Sequence, residues 1–198
     1  MILTMQQLND KLTAEGYSNI RTKIQRLIRD GKLTPVTRGI YETNAAIPGY
    51  LLASIIYSPS YISFEYALSW HGLIPEGVKV YTCATNNKKK SKLHETPFGI
   101  FTYRDIPLKA YPYEIKLCIE NGYSYQLATA EKALCDQLYK MPPVKNQKEL
   151  QELLFNNLRI EPNTLKKLSF DTLSKLAPLY HVRNLKLLIA LGGKIWNK

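Results

Sequence analysis

The stretch LTMQQLNDKLTAEGYSNIRTKIQRLIRDGKLTPVTRGIYET, residues 3–43, carries the clearest structural pattern in the chain. Thr4 is followed three residues later by Gln7, which is the spacing of a capping box, so a helix should begin directly after Thr4. Leucines at four-residue spacing then fall on one helix face, and Gly16 is a typical helix stop. The pattern predicts a short amphipathic helix that ends before Gly16.

A second helix and a hairpin are predicted to follow. Ser18 is a good N-cap for a helix that runs to about Asp30, where Gly31 would end it. Segment 33–43 has apolar residues on both sides of a Thr-Arg-Gly turn, which predicts two short strands. Helix, tight turn, helix and basic hairpin is the order of a winged helix-turn-helix, a small DNA-reading unit.

The outer face of the second helix indicates what this unit would bind. Apolar side chains fall on one side of the helix, around Ile24, and the opposite side is polar and basic. We expect contacts with DNA from that side and from the hairpin, at Ser18, Asn19, Thr22, Lys23, Arg26, Arg29, Thr37 and Arg38. The residues expected to reach base edges in the major groove are Asn19, Thr22, Lys23 and Arg26. Arg29 and Arg38 are expected to meet phosphate.

A basic helix face also occurs as a plain solvated surface, and on the helix alone that alternative stays open. Position favours DNA binding, because the basic face follows a tight turn and precedes a hairpin with Arg38 at its tip.

The composition indicates a globular and basic protein. Of the 198 residues, 45% are hydrophobic and 22% are charged, and the formal net charge is +11 at pH 7. Segment 141–198 is the most basic, with ten basic and four acidic side chains, a net of +6. Such a surface suits nucleic acid or an anionic membrane. Nucleic acid is the better match, because no long amphipathic basic helix with a broad apolar face is evident.

Other sequence features bear on location. The longest apolar run, residues 50–57, is too short to cross a bilayer, and the start of the chain does not resemble a secretory signal. Cys83, Cys118 and Cys135 are odd in number and widely spaced, which argues against a disulfide scaffold or a zinc site. We therefore expect a cytoplasmic protein without a membrane partner.

The sequence predicts an α+β protein in two parts. Residues 1–44 would form the winged helix-turn-helix, and residues 45–198 a mixed α/β domain with a small sheet and a helical C-terminal part from about residue 146. The strand candidates are 79–85, 98–106, 113–120 and 123–128, with Asn121-Gly122 as a hairpin turn. The helix candidates are 50–57, a segment within 61–73, 130–140 capped by Thr129, 147–158, 164–168, 170–180 and 183–193, the last ended by Gly192-Gly193.

The sequence contains few candidates for catalytic residues. No glycine-rich phosphate loop, nucleophile elbow or metal-binding histidine spacing is present. Lys132 and Asp136 are one helical turn apart and are expected to form a surface ion pair, while Glu131-Lys132 only weakly matches a metal-dependent nuclease. We expect no catalytic residues, no cofactor and no metal, and not an enzyme.

Three stretches in order resemble the AbiEi-type antitoxins. They are IQRLIRDGKLTPVTRGIY (24–41), ISFEYALSWHGLIPE (62–76) and LATAEKALCDQLY (127–139). These antitoxins belong to type IV toxin–antitoxin and abortive-infection systems that act against phage. The resemblance covers residues 1 to about 140, and the order and spacing of the stretches are more specific than any one of them.

The resemblance implies a DNA-binding antitoxin that represses its own operon by binding double-stranded DNA at operator inverted repeats. Its functional partner would be a co-encoded nucleotidyltransferase-like toxin, countered by the C-terminal domain without need of a direct complex. The DNA-reading role would fall on the basic positions of the second helix and on Arg38, and Glu131, Lys132 and Asp136 match a pattern of the C-terminal domain. The alternatives are a plain winged-helix transcriptional repressor, a nuclease-like enzyme that uses the C-terminal domain, and an antitoxin that binds its toxin directly.

Overall fold

Helices and two separate β-sheets make up the protein, an α+β fold, in a computed structural model that describes residues 1–196 apart from the side chains of residues 194 and 195. The N-terminal elements are β1 (Ile2–Thr4), α1 (Met5–Ala14), α2 (Ile20–Arg29), β2 (Thr34–Thr37) and β3 (Ile40–Glu42). The three strands form an antiparallel sheet in the order β1-β3-β2. The predicted helices and hairpin are therefore present, with a short strand before them that the sequence did not indicate.

The capping interactions explain where the first two helices begin. Thr4 and Gln7 form the predicted capping box: the Thr4 hydroxyl accepts from the Gln7 N–H at 3.2 Å, and the Gln7 side chain accepts from the Thr4 N–H at 2.8 Å. The prediction that Ser18 caps α2 is wrong. Asn19 is the cap, since its Oδ1 accepts from the Thr22 N–H at 3.2 Å. A capping oxygen must belong to the residue directly before the first helical one, here Ile20.

The N-terminal elements enclose a small core of their own. It consists of Leu8, Leu12, Ile24 and Leu33, all buried. The unit is attached to the rest of the protein through its sheet: Val36 is part of the large core, and Ile2 and Ile40 pack against it.

The second sheet has six strands in the order β6-β7-β5-β4-β9-β8. Their bounds are β4 (Ser60–Ile62), β5 (Tyr81–Thr85), β6 (Lys92–Thr96), β7 (Gly99–Asp105), β8 (Ile115–Glu120) and β9 (Tyr123–Ala128). The pairs β5–β7 and β4–β9 are parallel and the other neighbours are antiparallel. The predicted turn joins β8 to β9, with φ of 51° at Asn121 and 81° at Gly122, as a two-residue hairpin loop requires.

Two parts of this sheet differ from the prediction. The helix expected within 61–73 is shorter, because Ser60–Ile62 forms the buried strand β4 before α4 (Phe64–Trp70) begins. A short apolar run does not by itself distinguish a buried strand from a helix. Strand β6 was not predicted at all. It lies beside a lysine-rich loop and is an edge strand whose exposed side chains are largely polar, so its sequence resembles a loop.

Helices cover the second sheet and form most of the C-terminal part. Their bounds are α3 (Ala53–Ile56) after a 3-10 turn (Gly49–Leu52), α5 (Ala130–Lys140), α6 (Gln147–Glu152) continued by a π-turn (Leu153–Asn157), α7 (Pro162–Lys166), α8 (Phe170–Leu176) continued by a 3-10 turn (Ala177–Tyr180), and α9 (Arg183–Ile195). Thr129 caps α5 as predicted, accepting from the Lys132 N–H at 3.3 Å. Helix α5 is central, since it packs against α4, α8 and α9.

The helix stop predicted at Gly192-Gly193 is wrong, because both glycines lie inside α9. A Cβ atom on Gly192 would lie 2.0 Å from Cε2 of Phe170 in α8. Glycine at position 192 therefore allows two helices to approach closely instead of ending one of them. In the described part of the chain, no helix is long and apolar enough to cross a membrane.

Candidate nucleic-acid interface

Helix α2 presents opposite faces to the small core and to solvent. Ile24 is buried, and Ile20, Leu27 and Ile28 are partly buried against the same core. The apolar positions predicted for the inner face therefore do face inward. Thr22, Arg26 and Arg29, roughly opposite Ile24 on the helix, are exposed. The predicted outer face is thus the accessible one.

The start of α2 is more constrained than the sequence indicated. Ser18 and Asn19 are both exposed. Because one lone pair of Asn19 Oδ1 is used by the helix cap, the amide NH₂ group is the part of this side chain that remains fully available to a base edge as α2 stands. Asn19 would therefore act mainly as a hydrogen-bond donor.

Lys23 is held by a residue that the sequence reasoning did not consider. Its ammonium donates to the hydroxyl of Tyr17 at 2.9 Å and lies 4.2 Å from the centroid of the Tyr17 ring. Tyr17 stands in the turn between α1 and α2 and is itself exposed. Lys23 must leave Tyr17 to reach a base edge. The sequence contained one indication of this contact, because Tyr17 is an aromatic residue six positions before Lys23 and lies in the predicted tight turn.

Arg26 and Arg29 are the exposed cations of the outer face. The described structure contains no ion pair for Arg26, whereas the Nε of Arg29 lies 3.6 Å from a carboxylate oxygen of Asp30. Both members of that pair are exposed, so solvent and salt screen their attraction. Both guanidinium groups are accessible to a ligand.

The hairpin turn lies against the beginning of α1. The carbonyl of Gly39 accepts from the Met5 N–H at 2.8 Å, and Gly39 adopts a φ of 76° that favours glycine. Arg38 precedes it and is exposed, while Thr37 is half-buried and pairs with Ile40. Arg38 thus stands at the tip of a turn that is anchored to α1.

A groove of about 450 Å³ lies beside the contact between α1 and α2 and is bordered by β3. It is lined by Met5, Asn9, Arg21, Ile24, Gln25, Ile28 and Tyr41. Arg21 and Gln25 are exposed groups on the flank of α2, and neither was among the DNA contacts expected from the sequence. They add a guanidinium and an amide to the polar groups that this side of α2 presents.

The structure therefore brings together the six predicted positions at the start and on the outer face of α2. Thr37 and Arg38 lie apart from them in the β2–β3 hairpin, and within residues 1–196 no hydrogen bond or ion pair joins the Arg38 side chain to α2. A ligand that contacts both groups would have to span from α2 to the hairpin turn.

The predicted surface pair of Lys132 and Asp136 is wrong in one respect: the pair exists but is buried. Lys132 Nζ lies 3.5 Å from Asp136 Oδ1, and both side chains are 0% exposed. Helix α5 packs against α4, α8 and α9, and the side that carries Lys132 and Asp136 is covered. Asp136 accepts from the hydroxyls of Tyr61 (2.9 Å), Ser63 (2.7 Å) and Tyr180 (2.6 Å).

The electrostatics of this cluster follow from its burial. Burial, and then the charge of Asp136, raises the pKa of the Tyr61 and Tyr180 hydroxyls, so both stay protonated as donors. Burial lowers the pKa of Lys132, while Asp136 opposes that shift. The Lys132 ammonium also donates to the Tyr180 hydroxyl at 2.7 Å and to the Ala110 carbonyl. The carboxylate, the ammonium and these hydroxyls thus satisfy one another, which is the arrangement of a structural core, while the hydroxyl of the neighbouring Tyr111 is buried without a hydrogen-bond partner in the described residues.

Glu131 also has a structural partner. Its carboxylate accepts from the N–H of Ser169, the residue before α8, at 2.8 Å. This bond ties α5 to the start of α8. Among residues 1–196, no group of His, Cys, Asp and Glu side chains has the arrangement of a metal site. In the weak nuclease pattern at Glu131-Lys132, Glu131 thus makes a contact between two helices and Lys132 is a buried cation.

A scan against protein-family models found no match for this chain, and a search of the curated proteins found no similar sequence.

Proposed function

We propose that the protein is a DNA-binding repressor and that residues 1–44 act as a winged helix-turn-helix with α2 as the recognition helix. One observation carries the proposal. The exposed face of α2 bears Arg26 and Arg29, and the neighbouring hairpin bears an exposed Arg38 at its tip. A helix that follows a tight turn and precedes a basic hairpin has the order of elements that reads a major groove.

In this proposal Arg26, near the middle of α2, reads a base edge, and a guanidinium is suited to bidentate contact with guanine. Arg29 and Arg38 contact phosphate, which positions the protein on the duplex without reading sequence. Arg21 and Gln25, on the flank of α2, face the groove toward the hairpin and supply further contacts to the backbone or to a base.

We further propose that the protein is an antitoxin of the type IV kind, which represses its own operon and opposes a nucleotidyltransferase-like toxin. This part rests on the resemblance of three ordered sequence stretches to the AbiEi-type antitoxins. The presence of two hydrophobic cores supports the antitoxin proposal. Helix α2 packs on the small core, while most of the chain forms the large one. A second task can therefore reside in the larger part.

The DNA-binding proposal is tested by titrating the full chain against the DNA upstream of its gene, with fluorescence anisotropy as the measurement. Arg26→Ala should weaken specific binding by about 1–3 kcal/mol if Arg26 reads a base. The matched control is Lys166→Ala, which removes one exposed positive charge from α7. Equal affinities for the two variants would contradict the assignment of α2 as the recognition helix.

A further inference from the structure

The outer edge of β8 is an open sheet edge with apolar side chains on it. In the described residues β8 pairs with β9 on one side, and no strand pairs with its other side. Leu117 is 68% exposed and Ile119 is 77% exposed. Open edges with exposed apolar residues are templates for pairing with another strand, and proteins usually protect them. The opposite edge of the sheet, β6, is contacted by β2.

The hydrogen-bond pattern of β8 defines which backbone groups face outward. The Glu114 carbonyl accepts from the Thr129 N–H at 2.9 Å. Hydrogen-bonded and non-hydrogen-bonded pairs alternate in an antiparallel ladder. Lys116, Cys118 and Glu120 therefore bond to β9, and the backbone groups of the alternate residues, which include Leu117 and Ile119, point to the open edge.

The sequence of β8, IKLCIE, is complementary to itself when it is paired antiparallel about Cys118. In that register Lys116 lies opposite Glu120 of a second copy, and Leu117 lies opposite Ile119. The register also joins the outward-pointing backbone groups, because Leu117 and Ile119 would exchange hydrogen bonds. The Lys116 ammonium has no ion pair in the described part of the chain, and Glu120 accepts only from the Tyr50 hydroxyl there.

We propose that β8 is a self-association edge, at which two copies of this chain pair antiparallel about Cys118 and join their six-stranded sheets. We infer that the partner at this edge is a second copy of the chain, because a two-fold arrangement pairs opposite charges with each other and apolar residues with each other. An interface formed by one six-residue strand from each copy buries less surface than the roughly 1,200–2,000 Å² of a typical stable interface. The dimer therefore forms reversibly as protein concentration rises. The proposal does not depend on DNA binding.

Sedimentation velocity of the full chain over a wide concentration range tests the proposal. The wild type should show a reversible monomer–dimer equilibrium, and Lys116→Glu should weaken it by about tenfold or more, because like charges would then lie opposite each other twice. The matched control, Lys92→Glu, makes the same charge change on the β6 edge and should leave the equilibrium unchanged. A wild type that stays monomeric throughout, or a dimer that Lys116→Glu leaves intact, overturns the proposal.

The register is tested by mixing two variants. Glu120→Lys places lysines opposite each other and should also weaken self-association, but an equimolar mixture of Glu120→Lys and Lys116→Glu should associate, because both cross-strand pairs become complementary. Thermal melts by circular dichroism establish that each variant is folded. A mixture of folded variants that fails to associate overturns the register.

A second measurement uses the wild type, so it does not depend on the folding of a variant. In the proposed register Cys118 lies opposite its own copy in a non-hydrogen-bonded pair, with Cα atoms about 4.5 Å apart. That is within the range of about 4.4–6.8 Å for disulfides. Diamide should oxidise the two thiols to an intermolecular disulfide and be reduced in turn. Cys83 and Cys135 are buried, so Cys118→Ser should abolish the crosslink. A crosslink that persists in Cys118→Ser overturns the register.

Discussion

Asp136 accepts hydrogen bonds from three hydroxyl groups and lies one helical turn from Lys132, and solvent reaches neither side chain. The burial of two opposite charges in one core is costly unless each has several partners. Here the hydroxyls of Tyr61, Ser63 and Tyr180 supply them. These donors come from the segment around β4 and from the turn after α8, so the cluster joins the sheet to the C-terminal helices.

Asp136→Asn should destabilise the protein by about 3–5 kcal/mol, because it leaves the Lys132 ammonium buried without an opposite charge. The control is Asp171→Asn, which makes the same change in an exposed pair of the same i,i+4 spacing with Lys175. It should cost no more than about 0.5 kcal/mol. Urea unfolding measures both free energies, and similar values for the two variants would contradict a stabilising role for the cluster.

Helices α8 and α9 approach each other closely because position 192 carries no side chain. Phe170 of α8 occupies the space beside Gly192, and its ring packs against Trp196, with ring centroids 5.2 Å apart. Gly193, the next residue, is exposed. Of these two adjacent glycines, Gly192 therefore has a packing reason to be there, whereas Gly193 faces solvent.

Alanine at these two positions should act in opposite directions. Gly192→Ala should lower the free energy of unfolding by about 1–3 kcal/mol, because the new methyl group collides with the Phe170 ring. Gly193→Ala should raise it by about 0.5–1 kcal/mol, since alanine loses less backbone entropy in a helix. Thermal and urea unfolding of both variants measure the changes. Stabilisation by both substitutions would mean that α8 and α9 are not in close contact.

The whole molecule has two hydrophobic cores of unequal size. The small one supports α2 and the hairpin, and the large one extends through the six-stranded sheet and the C-terminal helices. The two parts meet at the N-terminal sheet, where Glu42 is fully buried. Burial raises the pKa of Glu42, but hydrogen bonds from the N-terminal ammonium and the Asn44 N–H to its Oε1 outweigh that effect, so the pKa is lowered overall. The ionised Glu42 carboxylate therefore stabilises the folded state fully at a pH above the pKa that Glu42 has in the unfolded chain. This stabilisation is lost as the pH falls through the lower pKa of Glu42 in the folded protein.

If the antitoxin proposal is correct, repression and toxin neutralisation should be separable in one chain. Arg26→Ala removes a side chain of the α2 surface and leaves the large core untouched, so it should relieve repression of an operon reporter. The same variant should still protect cells that express the co-encoded toxin. A growth assay beside the reporter measures both activities. Loss of both in a variant that is folded and equally abundant would show that DNA binding is needed for protection.

The sequence alone determined those features that depend on neighbours within a few residues. These are the capping box at Thr4, the Thr129 cap, the Asn121-Gly122 turn and the apolar face of α2 around Ile24. A cap or a two-residue turn is complete within one stretch of chain. Its geometry can therefore be predicted from residue types and spacing.

The tertiary structure alone decided features whose partners are distant in the chain. Ser60–Ile62 is a strand because β5 and β9 lie on either side of it, and β6 is a strand because β7 pairs with it. Lys132 and Asp136 are buried because other helices cover α5, and Tyr17 engages Lys23 through a turn that brings them together. Burial and strand pairing depend on which segments meet, and local spacing does not contain that information.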